Sequence, residues 1–328
     1  MNSLKFYLVI FLSIINIIFD KGDSILSCED VLFIDYLDSW KVCLSDKWPR
    51  IVRRIFYLLG NFFGYIRYEN NVITLFCFNE GDINNRIANN LYKAVLRSRY
   101  NVIVCADLIL KNELIMNKMR DCGKTIIEGI WIYKFLLYKI AEKTSYIKNV
   151  DISDLEISIL IHQYSDIIID EIKDIGVKCK VFNIITDKVN EYSELEKYFE
   201  DEFGIIINVS SNLSKSLTHS DLIFNIDFSN IELKRCIFSK KSVLVQTNKE
   251  KVLSQYGITA CFFKLNFPEK YKKYFSRKKH FCEEYLYESL LYSKISYSNM
   301  KKKLEDDNID IKYFIGNNGK IDFRDITN

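Results

Sequence analysis

Short, continuous apolar segments alternate with helical segments between residues 156 and 248, and this alternation constrains the fold more than any other feature of the chain. Strands that are apolar throughout are typical of a parallel sheet covered by helices on both faces. We therefore predict a doubly wound parallel sheet, with helices at Ile167–Gly176 and Val189–Phe203. The predicted strands are Ile157–Ile161, Lys180–Thr186, Ile205–Ser210, Asp221–Ile226 and Ser242–Thr247.

A similar alternation occupies residues 72–143, with one strand at Val72–Phe78 and another within Asn101–Leu110. The polar segment Tyr146–Leu155 separates the two halves and predicts a domain boundary. We expect two α/β domains, at residues 31–150 and 151–265, followed by a helical C-terminal segment and tail at residues 266–328. The helices predicted in the first half are Asn85–Arg99, Glu113–Cys122 and Ile130–Lys143.

Residues 1–30 form an apolar N-terminal extension. Its segment Phe6–Phe19 is nearly all apolar, which fits the apolar core of a signal peptide better than a transmembrane helix of about 20 residues. A start site assigned too far upstream would give the same composition. The nine scattered cysteines, none at C-x-x-C spacing, favour reduced thiols in the cytoplasm. The sequence therefore predicts a cytoplasmic protein, with membrane anchoring or export as the alternative if the extension is genuine.

Residues 48–59 predict an amphipathic helix with an apolar stripe and three arginines beside it, Arg50, Arg53 and Arg54. A basic amphipathic helix can lie on a membrane surface. The interpretation that we favour for so short a segment is a stripe packed in the protein core, with a solvated basic face. The stripe consists of Trp48, Ile51, Val52, Ile55, Phe56 and Leu59.

A net charge of +3 is too balanced to indicate nucleic acid as a partner. The best local candidate for nucleic-acid binding is Lys270–His280, where Tyr271, Tyr274 and Phe275 are interleaved with basic residues. The segment is short and is followed by acidic Glu283–Glu284. A solvated helix face is therefore the favoured interpretation, and nucleic-acid binding is not expected.

Two segments of the second half carry a resemblance to known proteins. Ser216–Asp227 contains a turn followed by an apolar strand, and Phe182–Asp187 is a second apolar strand that ends in an acid. Both are similar to segments in the NADP domains of shikimate dehydrogenase and glutamyl-tRNA reductase, which implies a Rossmann-like domain over residues 156–248 with NAD(P) as cofactor. The chain as a whole, including Phe33–Trp40, resembles a group of bacterial proteins from AT-rich genomes, and this resemblance implies no chemistry.

The turn that would hold the cofactor's pyrophosphate departs from the pattern of those domains. A G-x-G-x-x-G/A turn lets the backbone approach the phosphates at a helix N-terminus. Here the turn is His162–Asp166, which contains no glycine, and Asp166 would repel phosphate. NAD(P) thus stays possible as a cofactor without its usual binding turn. Neither family's activity is expected, and the sequence leaves open whether the chain is an enzyme.

Ligands of parallel sheets bind beyond the carboxyl ends of the strands, and this rule selects the candidate site residues. His162 could act as an acid or base, and Asp187 could bind a ribose hydroxyl or cap the following helix. We predict a nucleotide or small metabolite in the cleft between the domains. The alternatives are a non-catalytic scaffold protein and a divergent NAD(P)-dependent oxidoreductase. No metal site or particular oligomer is predicted. The candidate ligand-binding residues are His162, Tyr164, Ser165, Asp187, Ser210, Ser211, Asn212 and Asp227.

Overall fold

A computed structural model describes residues 30–37, 49–63, 66–69, 71–77, 80–212, 217–246, 258–294, 297–316 and 319–321. The predictions for the N-terminal extension, including Phe6–Phe19, and for Trp48 lie outside these residues. Among the helices of the described ranges, none combines the length and the apolar character that crossing a bilayer requires.

The first sheet has five strands in the order β2-β3-β1-β4-β5. Its neighbouring strands are parallel, except that β2 runs antiparallel to β3. Strand β1 is central and its first four residues are buried, as expected for a strand that is covered on both faces. The strands are β1 (Val31–Tyr36), β2 (Ile66–Glu69), β3 (Val72–Leu75), β4 (Val102–Cys105) and β5 (Thr125–Ile126), and the helices are α1 (Arg50–Phe63), α2 (Asn85–Arg97), α3 (Asp107–Leu110) and α4 (Glu113–Arg120).

The second sheet has eight strands in the order β13-β12-β11-β10-β9-β6-β7-β8. The six strands from β8 to β11 are all parallel, and in chain order they follow 3-2-1-4-5-6, the order of the Rossmann fold. The predicted doubly wound parallel sheet is confirmed. The strands are β6 (Glu156–Leu160), β7 (Val181–Ile185), β8 (Ile207–Ser210), β9 (Leu222–Asn225), β10 (Val243–Val245), β11 (Ile258–Asn266), β12 (Asp310–Gly316) and β13 (Gly319–Lys320).

Helices connect the two sheets and cover the second. They are α5 (Ile130–Phe135), α6 (Leu137–Lys148), α7 (Asp166–Gly176), α8 (Val189–Phe203), α9 (Asn230–Leu233), α10 (Glu269–Arg277), α11 (Glu283–Lys294) and α12 (Tyr297–Asp306). Sequence reasoning missed β11 and the antiparallel addition of β12 to its edge. The prediction of a single helix over Ile130–Lys143 is wrong, because the helix is interrupted at Leu136, between α5 and α6. The buried Glu171 carboxylate accepts the Tyr138 N–H at 2.9 Å and so stabilises this break.

Helix α1 presents the opposite face to the protein from the one predicted. Ile51 is 69% exposed and Ile55 52% exposed, whereas Arg53 and Tyr57 are buried. Gly60 explains the choice of face, since a Cβ at this position would lie 2.7 Å from the Phe76 ring. The prediction that Ile51 and Ile55 pack in the protein core is therefore wrong. Periodicity located an amphipathic helix but could not show which side has a close-packed neighbour.

The aromatic residues of Lys270–His280 are buried. Tyr271, Tyr274 and Phe275 are each less than one-tenth exposed, and Tyr271 packs edge-on against Tyr287 with ring centroids 5.2 Å apart. These rings hold α10 against α11. They are therefore not available to stack on bases, which removes the aromatic half of the nucleic-acid hypothesis.

A buried charge cluster joins α10, α11 and α12 at Asp307. Its carboxylate accepts hydrogen bonds from the Tyr271 and Tyr287 hydroxyls at 2.7 Å each and pairs with Lys270 and Lys303 at 2.5 Å. Burial opposes ionisation, but the four donors outweigh it and hold the pKa of Asp307 well below its usual value. The stabilisation is therefore present above the ordinary carboxyl pKa and is lost as pH falls through the folded-state pKa.

We expect Asp307→Asn to lower the free energy of unfolding by about 2–3 kcal/mol, since it leaves buried donors with one acceptor fewer and the lysines without a counter-charge. Urea unfolding measures the change. The neighbouring Asp306→Asn, at an exposed position, is the control and should change stability little. Equal effects of the two substitutions would contradict the assigned role of the Asp307 cluster.

Candidate functional site

The turn after β6 is occupied by a carboxylate of the chain itself. The backbone N–H groups of His162 and Gln163 donate to the two Asp227 oxygens, at 2.7 Å and 2.9 Å. Asp227 follows β9, the strand next to β6 across the change in strand order. In a Rossmann domain, amides of this turn and the following helix N-terminus receive the pyrophosphate. The turn thus has a carboxylate where a dinucleotide would need free donors.

The His162 side chain is held between two further carboxylates. Its Nδ1 lies 2.7 Å from an Asp187 oxygen, and its Nε2 lies 2.9 Å from a Glu232 oxygen. The Phe228 ring stacks on the imidazole with centroids 4.2 Å apart. The structure therefore brings together three predicted residues, His162, Asp187 and Asp227. We call them, with Phe228 and Glu232, the His162 cluster.

Glu232 was not predicted as a site residue, although a sequence signal for its position existed. Ser229 and Glu232 form a capping box at the start of α9, in which the Glu232 carboxylate accepts from the Ser229 N–H at 2.8 Å. The S-x-x-E spacing two residues after Asp227 is the signature of such a box. The helix that it starts directs Glu232 back towards His162.

The charges of the His162 cluster favour an imidazolium. Partial burial opposes protonation, but the hydrogen bond to Asp187 and the charges of Asp187, Asp227 and Glu232 prevail and raise the pKa of His162. The hydrogen bond from His162 correspondingly lowers the pKa of Asp187. Asp187 is not the N-cap of α8, since that position is Lys188. Its partner is the imidazole, which sequence spacing alone could not reveal.

The other predicted residues lie around the carboxyl edge of the second sheet without joining the His162 cluster. Tyr164 is 49% exposed and lies against Tyr192, with ring centroids 5.5 Å apart. Ser165 is the N-cap of α7 but makes no side-chain capping bond. The Ser210 hydroxyl accepts from the Asn212 N–H at 2.9 Å, which closes a local turn after β8. Ser211 and Asn212 are exposed.

An open cavity of about 670 Å³ lies between the carboxyl edges of the two sheets. Asp227 and Phe228 of the His162 cluster form part of its wall, together with Asn225 and Gln246 from the ends of β9 and β10. The first half of the chain contributes Glu128, after β5, and residues of α3, of α4 and of the connection between them. Those residues are Leu110, Lys111, Glu113, Met116, Asn117 and Arg120.

The floor of this cavity is rigid and polar. The Asn225 amide donates to the Phe228 carbonyl at 3.0 Å and to the Gln246 side chain at 3.2 Å, and its oxygen accepts from the Phe228 N–H at 2.9 Å. The polar atoms in these bonds belong to the end of β9, to the loop after it or to the residue that follows β10. Because the amides bind one another, the floor keeps its shape without a ligand.

Helix α5 begins beside the cavity and is anchored by a buried acid. Glu288 of α11 accepts the Ile132 N–H at 3.3 Å, and burial raises the pKa of Glu288 to about 8. The same helix carries Lys134, whose pKa burial lowers while the nearby charge of Asp227 acts against the shift. Lys134 was not predicted as a site residue, and no motif marks it. Only the packing of α5 between the sheets brings it near Asp227.

The carboxyl edge of the first sheet is also occupied by the chain. His280 Nδ1 lies 2.7 Å from the Asp35 carboxylate at the end of β1, and its ring stacks on Tyr36 with centroids 4.4 Å apart. Its carbonyl accepts the N–H of Asp107, the first residue of α3, at 3.0 Å. Within the described ranges, no group of three or more His, Cys, Asp or Glu side chains is arranged to hold a metal ion.

No protein-family model and no curated protein sequence matches the chain. Among solved structures, L-tryptophan dehydrogenase from Nostoc punctiforme is similar over 84% of this chain and 78% of its own, with 9% identity and a TM-score of 0.31. A shikimate dehydrogenase in complex with NADP⁺ is similar over 87% and 98%, with 10% identity and a TM-score of 0.30. Ornithine carbamoyltransferase from Pyrococcus furiosus is similar over 84% and 83%, with 9% identity and a TM-score of 0.29.

These similarities are too weak to imply an activity. The Rossmann-like description of the second sheet therefore depends on its strand order, and any function must be argued from the site.

We expect Asp187→Asn to lower the pKa of His162, because the substitution removes the negative charge that accepts the imidazole hydrogen bond. An NMR titration of the imidazole C2 proton measures this pKa. Asp170→Asn, at an exposed position on α7, is the control and should leave it unchanged. A His162 pKa that is the same in both variants would contradict the assigned hydrogen bond.

The same pair of variants tests the pH dependence of stability. A histidine whose pKa is raised in the folded state stabilises fully below its unfolded pKa of about 6.5 and loses this contribution as pH rises through the folded value. Asp187→Asn should therefore lower the free energy of unfolding more at a pH below about 6.5 than at a pH above the folded-state pKa of His162.

Proposed function

We propose that this chain binds a small polar metabolite, rather than a dinucleotide, in the cavity between the two sheets. The observation that carries the proposal is the position of Asp227. Its carboxylate accepts hydrogen bonds from the two turn amides that a pyrophosphate would need, while the adjoining cavity of about 670 Å³ is open. The volume lies within the usual range for small-molecule sites, about 300–1,000 Å³.

The energetic argument against a dinucleotide concerns displacement of Asp227. A hydrogen bond to a charged group contributes about 1.5–3 kcal/mol, so losing two of them would weaken dinucleotide binding by about 3 kcal/mol or more, over a hundredfold. A phosphate that approached without displacing the carboxylate would meet its negative charge. The residues of the turn therefore do not fit NAD(P) in the usual pose, which argues against the oxidoreductase alternative.

The lining of the cavity indicates the chemistry of the ligand. Lys111 and Arg120 offer positive charge, Glu128 and Asp227 offer negative charge, and Gln246 offers an amide. A small molecule that carries both a carboxylate and an ammonium group, such as a free amino acid, can be matched by both signs of charge. An apolar ligand would remove water from these charged groups and offer no polar contact in return.

The test is thermal unfolding of the full chain with NAD(H), NADP(H), the free amino acids and small dicarboxylic acids. A ligand at a hundredfold excess over its Kd stabilises the folded state by about 2.7 kcal/mol, and we expect this only from small zwitterions or acids. Lys111→Gln should weaken the shift, whereas Lys118→Gln on α4, outside the cavity lining, should not. A shift with NAD(H) or NADP(H), or with none of the probes, would overturn the proposal.

A further inference from the structure

Helix α1 has an apolar face that points away from the protein. Ile51, Ile55, Leu58 and Phe62 are 69, 52, 56 and 61% exposed, and they follow one another at intervals of four, three and four residues. This spacing places them in one stripe, roughly 16 Å long at 1.5 Å per residue. We call these four residues the α1 stripe.

The opposite face of α1 already packs against the first sheet. Arg53 and Tyr57 are buried, and the Tyr57 hydroxyl donates to Asp82 at 3.2 Å. Asn61 donates to the Phe76 carbonyl at 2.8 Å. These contacts hold the helix in the orientation that exposes the stripe.

The charges around the α1 stripe are positive. Arg50 and Arg54 are exposed on the same helix, and no acidic residue occurs between Arg50 and Phe63. Arg86 of α2 donates to the Phe62 carbonyl at 3.1 Å, and its guanidinium lies 5.1 Å from the centre of the Phe62 ring. Arg86 also lines a shallow groove of about 720 Å³, together with Leu58 and three asparagines, Asn61, Asn84 and Asn85.

We propose that the α1 stripe docks this protein on an anionic lipid surface. An apolar helix face bordered by arginines is the pattern that inserts its side chains among acyl chains while its cations meet headgroup phosphates. A partner protein with an apolar groove would gain nothing from Arg50, Arg54 and Arg86 unless it were acidic. The apolar segment Phe6–Phe19 of the same chain has the composition to add a second apolar contact with the bilayer.

The test is co-sedimentation of the full chain with vesicles of phosphatidylcholine alone and of phosphatidylcholine with equal parts of phosphatidylglycerol. We expect binding to the anionic vesicles. The Ile55→Ser/Leu58→Ser double variant should weaken it at least about tenfold, since each substitution removes an inserted aliphatic side chain. The Arg50→Gln/Arg54→Gln double variant should weaken it about fivefold for each arginine removed.

The control is Ile206→Ser/Leu96→Ser, which removes an exposed Ile (70%) and an exposed Leu (46%) from other surfaces and should leave binding unchanged. Four results would overturn the proposal. They are absence of binding, equal binding to both vesicle types, binding that persists in Ile55→Ser/Leu58→Ser, and a vesicle-free dimer that this variant dissociates. Persistent binding would assign the lipid contact to another segment, and the dimer would assign the stripe to a second copy.

Discussion

The carboxylate of Asp227 organises the carboxyl edge of the second sheet. By accepting two backbone hydrogen bonds from the turn after β6, it ties together the two strands on either side of the change in strand order. It also orients the loop after β9, so that Phe228 stacks on His162 and α9 begins within reach of the imidazole. A negative charge on turn amides is what this position of the fold ordinarily accepts from a ligand. Here the chain provides that charge itself.

The same principle operates at the first sheet, where His280 from the C-terminal part of the chain pairs with Asp35. In both sheets, therefore, a strand end that could bind a ligand is occupied by hydrogen bonds to a carboxylate of the chain itself. The open cavity is what lies between these two occupied edges, and its wall includes Asp227 from one sheet and Glu128 from the other. The architecture is that of a doubly wound α/β protein, while side chains of the chain itself occupy the strand-end positions at which such folds ordinarily bind ligands.

Ion pairs with a buried carboxylate link the helices that pack on the second sheet. Lys301 of α12 pairs with Glu171 of α7 at 2.8 Å, and Lys264 of β11 pairs with Glu284 of α11 at 2.8 Å. Burying such pairs stabilises little, because desolvation of the charges offsets their attraction. Their directional bonds do, however, limit how α7, α11 and α12 can pack. We infer that these pairs contribute more to the relative positions of the helices than to the net free energy of folding.

Much of the fold could be predicted because its signal is local. The apolar segments at Ile157–Ile161 and Asp221–Ile226 are strands, and both stand at the centre of a parallel sheet as their continuous hydrophobicity indicates. The rule that ligands bind at strand ends also selected His162, Asp187 and Asp227, and the structure places these three residues in contact. Strand β11, the last of the parallel strands, was missed, since its segment follows a part of the chain that shows no α/β rhythm.

What the sequence by itself determined was therefore the succession of strands and helices, the parallel arrangement of the second sheet and the absence of a glycine-rich turn. Only the tertiary structure decided that Asp227 fills this turn, that Glu232 completes the His162 cluster and that α1 exposes its apolar stripe. The reason is physical: secondary structure follows from residue spacing within a segment, whereas the bond from His162 to Asp227 joins residues 65 positions apart. Such contacts depend on how the strands are ordered in space, and the packing of whole elements determines them.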